Sequence, residues 1–172
     1  MHDVNGRQIA DGHDVHARLD YLIEHHPDPR ISRDLKLAVE RGEIRLQIGS
    51  FEGTDAAFVA MPSTQAWTSR EQCIASLEPV ILINLHQMIM IESGRQMISA
   101  WLTLFHEYTH YRQYLDADPS DRLLFATSMS QRIYDMVYDE PVEECLVVWE
   151  RESDAFEQQC IMESQWGFDL AS

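Results

Sequence analysis

Between Gln96 and Phe105 the chain has neither proline nor glycine, and apolar residues recur at positions 97, 98, 101, 104, 105 and 108. That period predicts a helix from about Arg95 to Leu115 with one face in the core, and the rest of the fold must pack around it. The same helix carries His106, Glu107 and His110 in the pattern H-E-x-x-H. Helical residues four apart lie one turn above each other, so both imidazoles can reach a single metal ion. Glu107, one step round from His106, then points toward water in the metal's open position. On this reading the apolar stripe is buried and the two histidines and Glu107 occupy another face.

The chain has 172 residues, which suits one domain with a core of its own. Its formal net charge of −16 argues against binding nucleic acid or an anionic membrane by charge alone. Cys73, Cys145 and Cys160 are few, odd in number and lack C-x-x-C spacing, as expected of free thiols in a reducing compartment. The N-terminus lacks the basic and apolar regions of a signal peptide. The longest apolar run, Val80 to Ile83, is broken by Asn84, His86 and Gln87 and is too short to span a bilayer. A soluble, cytoplasmic protein is the expectation.

The period of the pattern changes along the chain. Val15, Leu19, Leu22 and Ile23 mark a helix over 13–26 that ends before Pro27 and Pro29, and Ser32 is placed to cap a second helix ending near Gly42. Ile44, Leu46 and Ile48 alternate with Arg45 and Gln47 as on a strand; 57–61, stopped by Pro62, is a second strand and Val80–Leu85 a third. Thr68 to Glu71 has the spacing of a capping box for a short helix. Beyond the motif helix, Asp118-Pro119 opens a helix to about Tyr138 and Pro141 another to about Met162. The fold class expected is α+β. A sheet of at least three strands packs on the H-E-x-x-H helix, the C-terminal half is largely helical, and residues 1–42 are a candidate helical appendage.

A zinc site with an open position needs a third protein ligand. Asp116 stands where a glycine-turned chain would return to the metal, but Gln113 occupies the position of that glycine, and an uninterrupted helix carries Asp116 away. Glu150 and Asp154 are four apart on the last helix and share a face, so Glu150 can reach the metal while Asp154 backs a histidine. Glu150 is favoured on that ground, with Glu152, on the other flank of the apolar stripe, third in line after Asp116.

The combination of H-E-x-x-H at His106–His110 with E-x-x-x-D at Glu150–Asp154 resembles the gluzincin class of zincin metallopeptidases. The strand Ile81-Leu82-Ile83-Asn84, the approach Trp101 to Glu107, and the run Glu150 to Glu157 are also similar to ImmA/IrrE-type metallopeptidases. Here Ser153 and Glu157 replace two alanines of that family's third-ligand helix, and Thr109 replaces the glycine before the second histidine. The resemblance covers roughly residues 80–160. It implies a single zincin-like domain and a zinc-dependent peptidase acting on a protein or peptide substrate. Zn²⁺ would sit on His106, His110 and Glu150, with Glu107 as general base. It also implies an oxyanion donor, for which Tyr134 and Tyr138 are the candidates, and an edge strand, Val80–Leu85, along which extended substrate lies. The rival readings are a non-hydrolytic zinc-binding interaction module and an acidic helical scaffold without metal.

Overall fold

A computed structural model describes residues 13–49, 55–62, 67–84, 94–126, 151–152 and 154–160. The architecture is α+β, with helices around a three-stranded sheet. Helix α1 (His13–Glu24) buries Val15, Leu19, Leu22 and Ile23, the face its period predicts. A π-helical stretch, Arg30–Leu35, continues without a break into α2 (Lys36–Glu40). Ser32 therefore lies inside this helix and does not cap it. The helix starts three residues earlier because Asp28 satisfies its first amides: its carboxylate accepts the Arg30 N–H at 2.9 Å and its carbonyl those of Ile31 and Ser32. At the other end Gly42, at φ +72°, donates to the Val39 carbonyl while Glu43 donates to that of Ala38. This paired closure needs a left-handed residue, which is why glycine stands there.

Strands β1 (Arg45–Gly49), β2 (Ala56–Pro62) and β3 (Leu77–Asn84) lie in the order β1-β3-β2. β1 runs parallel to β3 in the register Arg45↔Val80, and β2 antiparallel in the register Phe58↔Ile81. Pro62 is the last residue of β2 instead of lying beyond it. Pro79 is tolerated within β3 because pairing with β1 begins only at Val80, which leaves Pro79 with a neighbour on one side. The strand expected to be an edge, Val80–Leu85, is thus the centre of the sheet, and Val80 and Ile81 are fully buried. With both sides hydrogen-bonded, β3 has no free backbone edge for an added peptide over 80–83.

β3 follows directly on α3 (Arg70–Ser76). The capping box of α3 sits one residue later than its spacing suggested. Ser69, the residue in the extended conformation, accepts the Gln72 N–H at 3.2 Å, and the Gln72 side chain accepts the Thr68 N–H at 2.8 Å.

The motif helix α4 (Gly94–Asp116) buries Leu104, Phe105, Tyr108, Tyr111 and Tyr114. After it, Asp118 starts a turn, and Asp121–Ala126 form a 3₁₀ helix where an α-helix was expected. Arg122 folds back so that its guanidinium donates to the Tyr114 and Leu115 carbonyls, satisfying two acceptors at the end of α4. The continuation toward Tyr138 lies outside the described residues. Of the last expected helix, 151–152 and 154–160 are described, and they are helical.

α1, the π-helical stretch and α2 contribute Leu22, Ile31, Leu35 and Ala38 to the same hydrophobic cluster as β2, β3 and α4, so residues 13–40 are part of the core. α1 is also tied to α4 by polar contacts: the Trp101 indole donates to the Leu22 carbonyl at 3.0 Å, and His26 Nε2 meets the Trp101 carbonyl at 2.9 Å. These bonds fix α4 one turn before its histidines.

Candidate metal centre

The four-residue spacing on α4 brings the rings of His106 and His110 to a centroid separation of 4.9 Å, edge to face. Both Nε2 atoms point at one carboxylate, that of Glu152: His106 Nε2 lies 2.9 Å from Oε1 and His110 Nε2 3.0 Å from Oε2. One ligand atom from each residue falls within 4.8 Å of the others. For a tetrahedral ion with bonds near 2.0 Å, ligand atoms stand roughly 3.3 Å apart, so the two His–Glu152 distances are within a few tenths of an ångström of that spacing. His106, His110 and Glu152 form a group that could hold a metal ion.

The remaining ring nitrogens are engaged as well. His106 Nδ1 lies 3.1 Å from Gln159 Oε1, and His110 Nδ1 lies 2.9 Å from Gln113 Oε1. Metal-bound histidines generally donate their second ring hydrogen to an acceptor that orients them, and both rings have such an acceptor here. The Phe156 ring stands edge-on to His106, with centroids 4.8 Å apart, yet is 54% exposed. Glu152, Phe156 and Gln159 stand four and three residues apart, so one face of the C-terminal helix makes all three contacts with His106.

Glu107 is 7% exposed and accepts a hydrogen bond from the Phe58 backbone N–H on β2 at 2.5 Å. The face that carries it is therefore covered, not solvent-facing. Burial pushes its carboxyl up to about 8; the Phe58 N–H opposes this and the charge of Glu152 adds to it. Burial likewise lowers His110 below the usual imidazole value, although the Gln113 and Glu152 contacts oppose the shift, which favours the neutral ring. A neutral imidazole is the form that ligates a metal.

The structure brings His106 and His110 together as the motif spacing predicts, whereas the Glu107 carboxylate meets the Phe58 N–H and is not among the residues of the group. At the carboxylate position it places Glu152; Glu150, favoured from the sequence, lies outside the described residues, as do Tyr134 and Tyr138. Asp116 is exposed at the last residue of α4 and is absent from the group. Asp154 stands behind a histidine as expected, but through an intermediary: it accepts from Gln113 Nε2 at 2.9 Å, and Gln113 in turn meets His110. Sequence reasoning assigned no role to Gln159 or to the Phe58 N–H. The spacing of 152, 156 and 159 was a signal for the first; for a backbone amide on another strand there was none. Cys73 is buried and Cys160 exposed. No helix among the described residues is long and apolar enough to cross a membrane. Comparison with known proteins finds no matching family, curated protein or solved structure.

Proposed function

We propose that this chain is a zinc-dependent peptidase in which His106, His110 and Glu152 hold Zn²⁺ and Glu107 is the general base. The observation that carries the reading is the convergence of both Nε2 atoms on one carboxylate, with a second acidic side chain, Glu107, on the helical position next to His106. Two imidazoles and a carboxylate are the donor set of a zinc site that keeps its fourth position open. When bound, zinc polarises a carbonyl and lowers the pKa of water at that position. Phe58 fixes one Glu107 oxygen through its N–H, leaving the other to take a proton from the attacking water and deliver it to the leaving amine. The value near 8 for Glu107 belongs to the site without a cation; a divalent charge beside it lowers that value and favours the carboxylate. The substrate class proposed is a protein or peptide.

The burial of Glu107 supports a second reading, a non-hydrolytic zinc-binding module on the same scaffold. Glu107→Gln separates the two, since the amide preserves shape and cannot accept the proton. Under the first reading the variant keeps one zinc per chain and loses about 10²- to 10⁴-fold of peptide hydrolysis. Wild type and variant equally inert against a broad peptide library would sink the peptidase reading.

A further inference from the structure

The polar contacts behind His110 determine which of its nitrogens is free. Gln113 Nε2 lies 2.9 Å from Asp154 Oδ2 and 3.0 Å from the Arg151 carbonyl oxygen. Both partners are acceptors only, so the amide nitrogen must face them and the amide oxygen must face the other way. That oxygen is 2.9 Å from His110 Nδ1. An acceptor there requires Nδ1 to carry a hydrogen, and the neutral ring then presents a lone pair on Nε2. A lone pair 3.0 Å from a carboxylate oxygen is stabilised by a cation between the two.

On the metal reading of His106, His110 and Glu152, we propose that Gln113 and Asp154 form a relay that locks His110 in the Nδ1–H tautomer, so that Nε2 is permanently offered to the ion. Both are positioning residues. Gln113 lies three residues after His110, so ligand and orienter share one turn of α4. Asp154 lies two residues after Glu152, so the segment that supplies the carboxylate also anchors the orienter. Docking of the C-terminal helix thus supplies a ligand and sets a tautomer together. His106 makes a useful contrast: Gln159 meets its Nδ1, but among the described residues nothing pins the Gln159 amide in one orientation.

The test uses the full-length chain. In metal-free protein, ¹⁵N-histidine NMR reads the tautomer directly: His110 is in the Nδ1–H form in wild type and shifts toward Nε2–H in Gln113→Ala and Asp154→Ala. Zinc affinity, read by chelator competition, falls about 10- to 100-fold in Gln113→Ala and less in Asp154→Ala. The double variant is no weaker than Gln113→Ala, because the two changes break one chain of contacts, whereas adding Gln159→Ala multiplies the loss. If Gln113→Ala does not fold by circular dichroism, Asp154→Ala, at the solvent end of the relay, carries the tautomer readout. A wild-type His110 in the Nε2–H form overturns the proposal, as does an unchanged tautomer with affinities within twofold. A wild type in the Nδ1–H form that binds no zinc overturns the metal reading and leaves the relay standing.

Discussion

Two histidine sites bear on α4, and they are built on opposite principles. His26 is 5% exposed, and its own backbone surroundings complete it: Nδ1 accepts the Asp28 N–H at 3.0 Å, and Nε2 therefore donates to the Trp101 carbonyl at 2.9 Å. Each nitrogen thus meets a partner of the correct kind. A salt bridge of 2.7 Å between Arg30 and Asp28 closes the same corner, with the guanidinium 5.4 Å from the Phe105 ring. One turn along, His106 is buried and His110 half-buried, but their Nε2 atoms converge on a shared carboxylate. The first arrangement is a finished hydrogen-bond set that holds α1 to α4. The second turns both Nε2 atoms toward one carboxylate, a group that could hold a metal ion. Burial alone does not mark a functional histidine; the kind of partner on each ring nitrogen does.

Removing ligands breaks the comparison most severely. His106→Ala or His110→Ala should reduce bound zinc from about one per chain to near none, with some loss of stability because binding energy is partly folding energy. Glu152→Ala should rank next among acidic substitutions, ahead of Glu150→Ala and Asp116→Ala. Metal analysis and chelator competition on the set decide the ranking. Zinc lost in Glu150→Ala but kept in Glu152→Ala would return the site to the ligand favoured from the sequence.

His26 should behave in the converse way. His26→Ala leaves the Asp28 N–H without its acceptor and removes the second hydrogen bond to the Trp101 carbonyl, which keeps its helical one; the unpaired N–H costs about 1–3 kcal/mol. The denaturation midpoint should fall accordingly while zinc stoichiometry stays at one. A His26→Ala protein that folds normally but has lost its metal would show that the two histidine sites are not separate.

The smallest effect is in pH. Burial drives His26 from the ordinary imidazole value to about 4, while the Trp101 carbonyl and the Asp28 charge oppose the shift. The unfolded chain binds this proton at higher pH than the folded one, so the associated stability is full above about 6.5 and declines as pH falls toward 4. At most ~3 kcal/mol is at stake over that window. Metal-free wild type should lose this increment on acidification and His26→Gln should not, read as denaturant midpoints at the two ends of the window. Parallel pH profiles for the two proteins would remove His26 from the account.

Much of the frame was legible because it depends on local period. Val15, Leu19, Leu22 and Ile23 recur at helical spacing and are buried; Leu46 and Ile48 alternate with exposed Arg45 and Gln47 in β1. Misplaced features depended on neighbours that local patterns do not contain. Ser32 has cap chemistry, but Asp28 starts the helix first. Val80–Ile83 has the composition of a strand, but only pairing on both sides makes it central.

The same division runs through the site. The sequence by itself determined that His106, Glu107 and His110 share a helix and that both imidazoles lie on one side of it, because 3.6 residues per turn places positions four apart together whatever surrounds them. The acidic run from Glu150 to Asp154 could be picked out as the source of a carboxylate. Only the tertiary structure decided that Glu152 faces the pair, that Gln113 and Gln159 stand behind the rings, and that a backbone N–H of β2 holds Glu107. The physical reason is that choosing among carboxylates two residues apart depends on the rotation of one helix about its axis against another. That rotation is set by the packing of Phe156 against His106 and of Arg151 over Phe125, contacts between residues far apart in the chain.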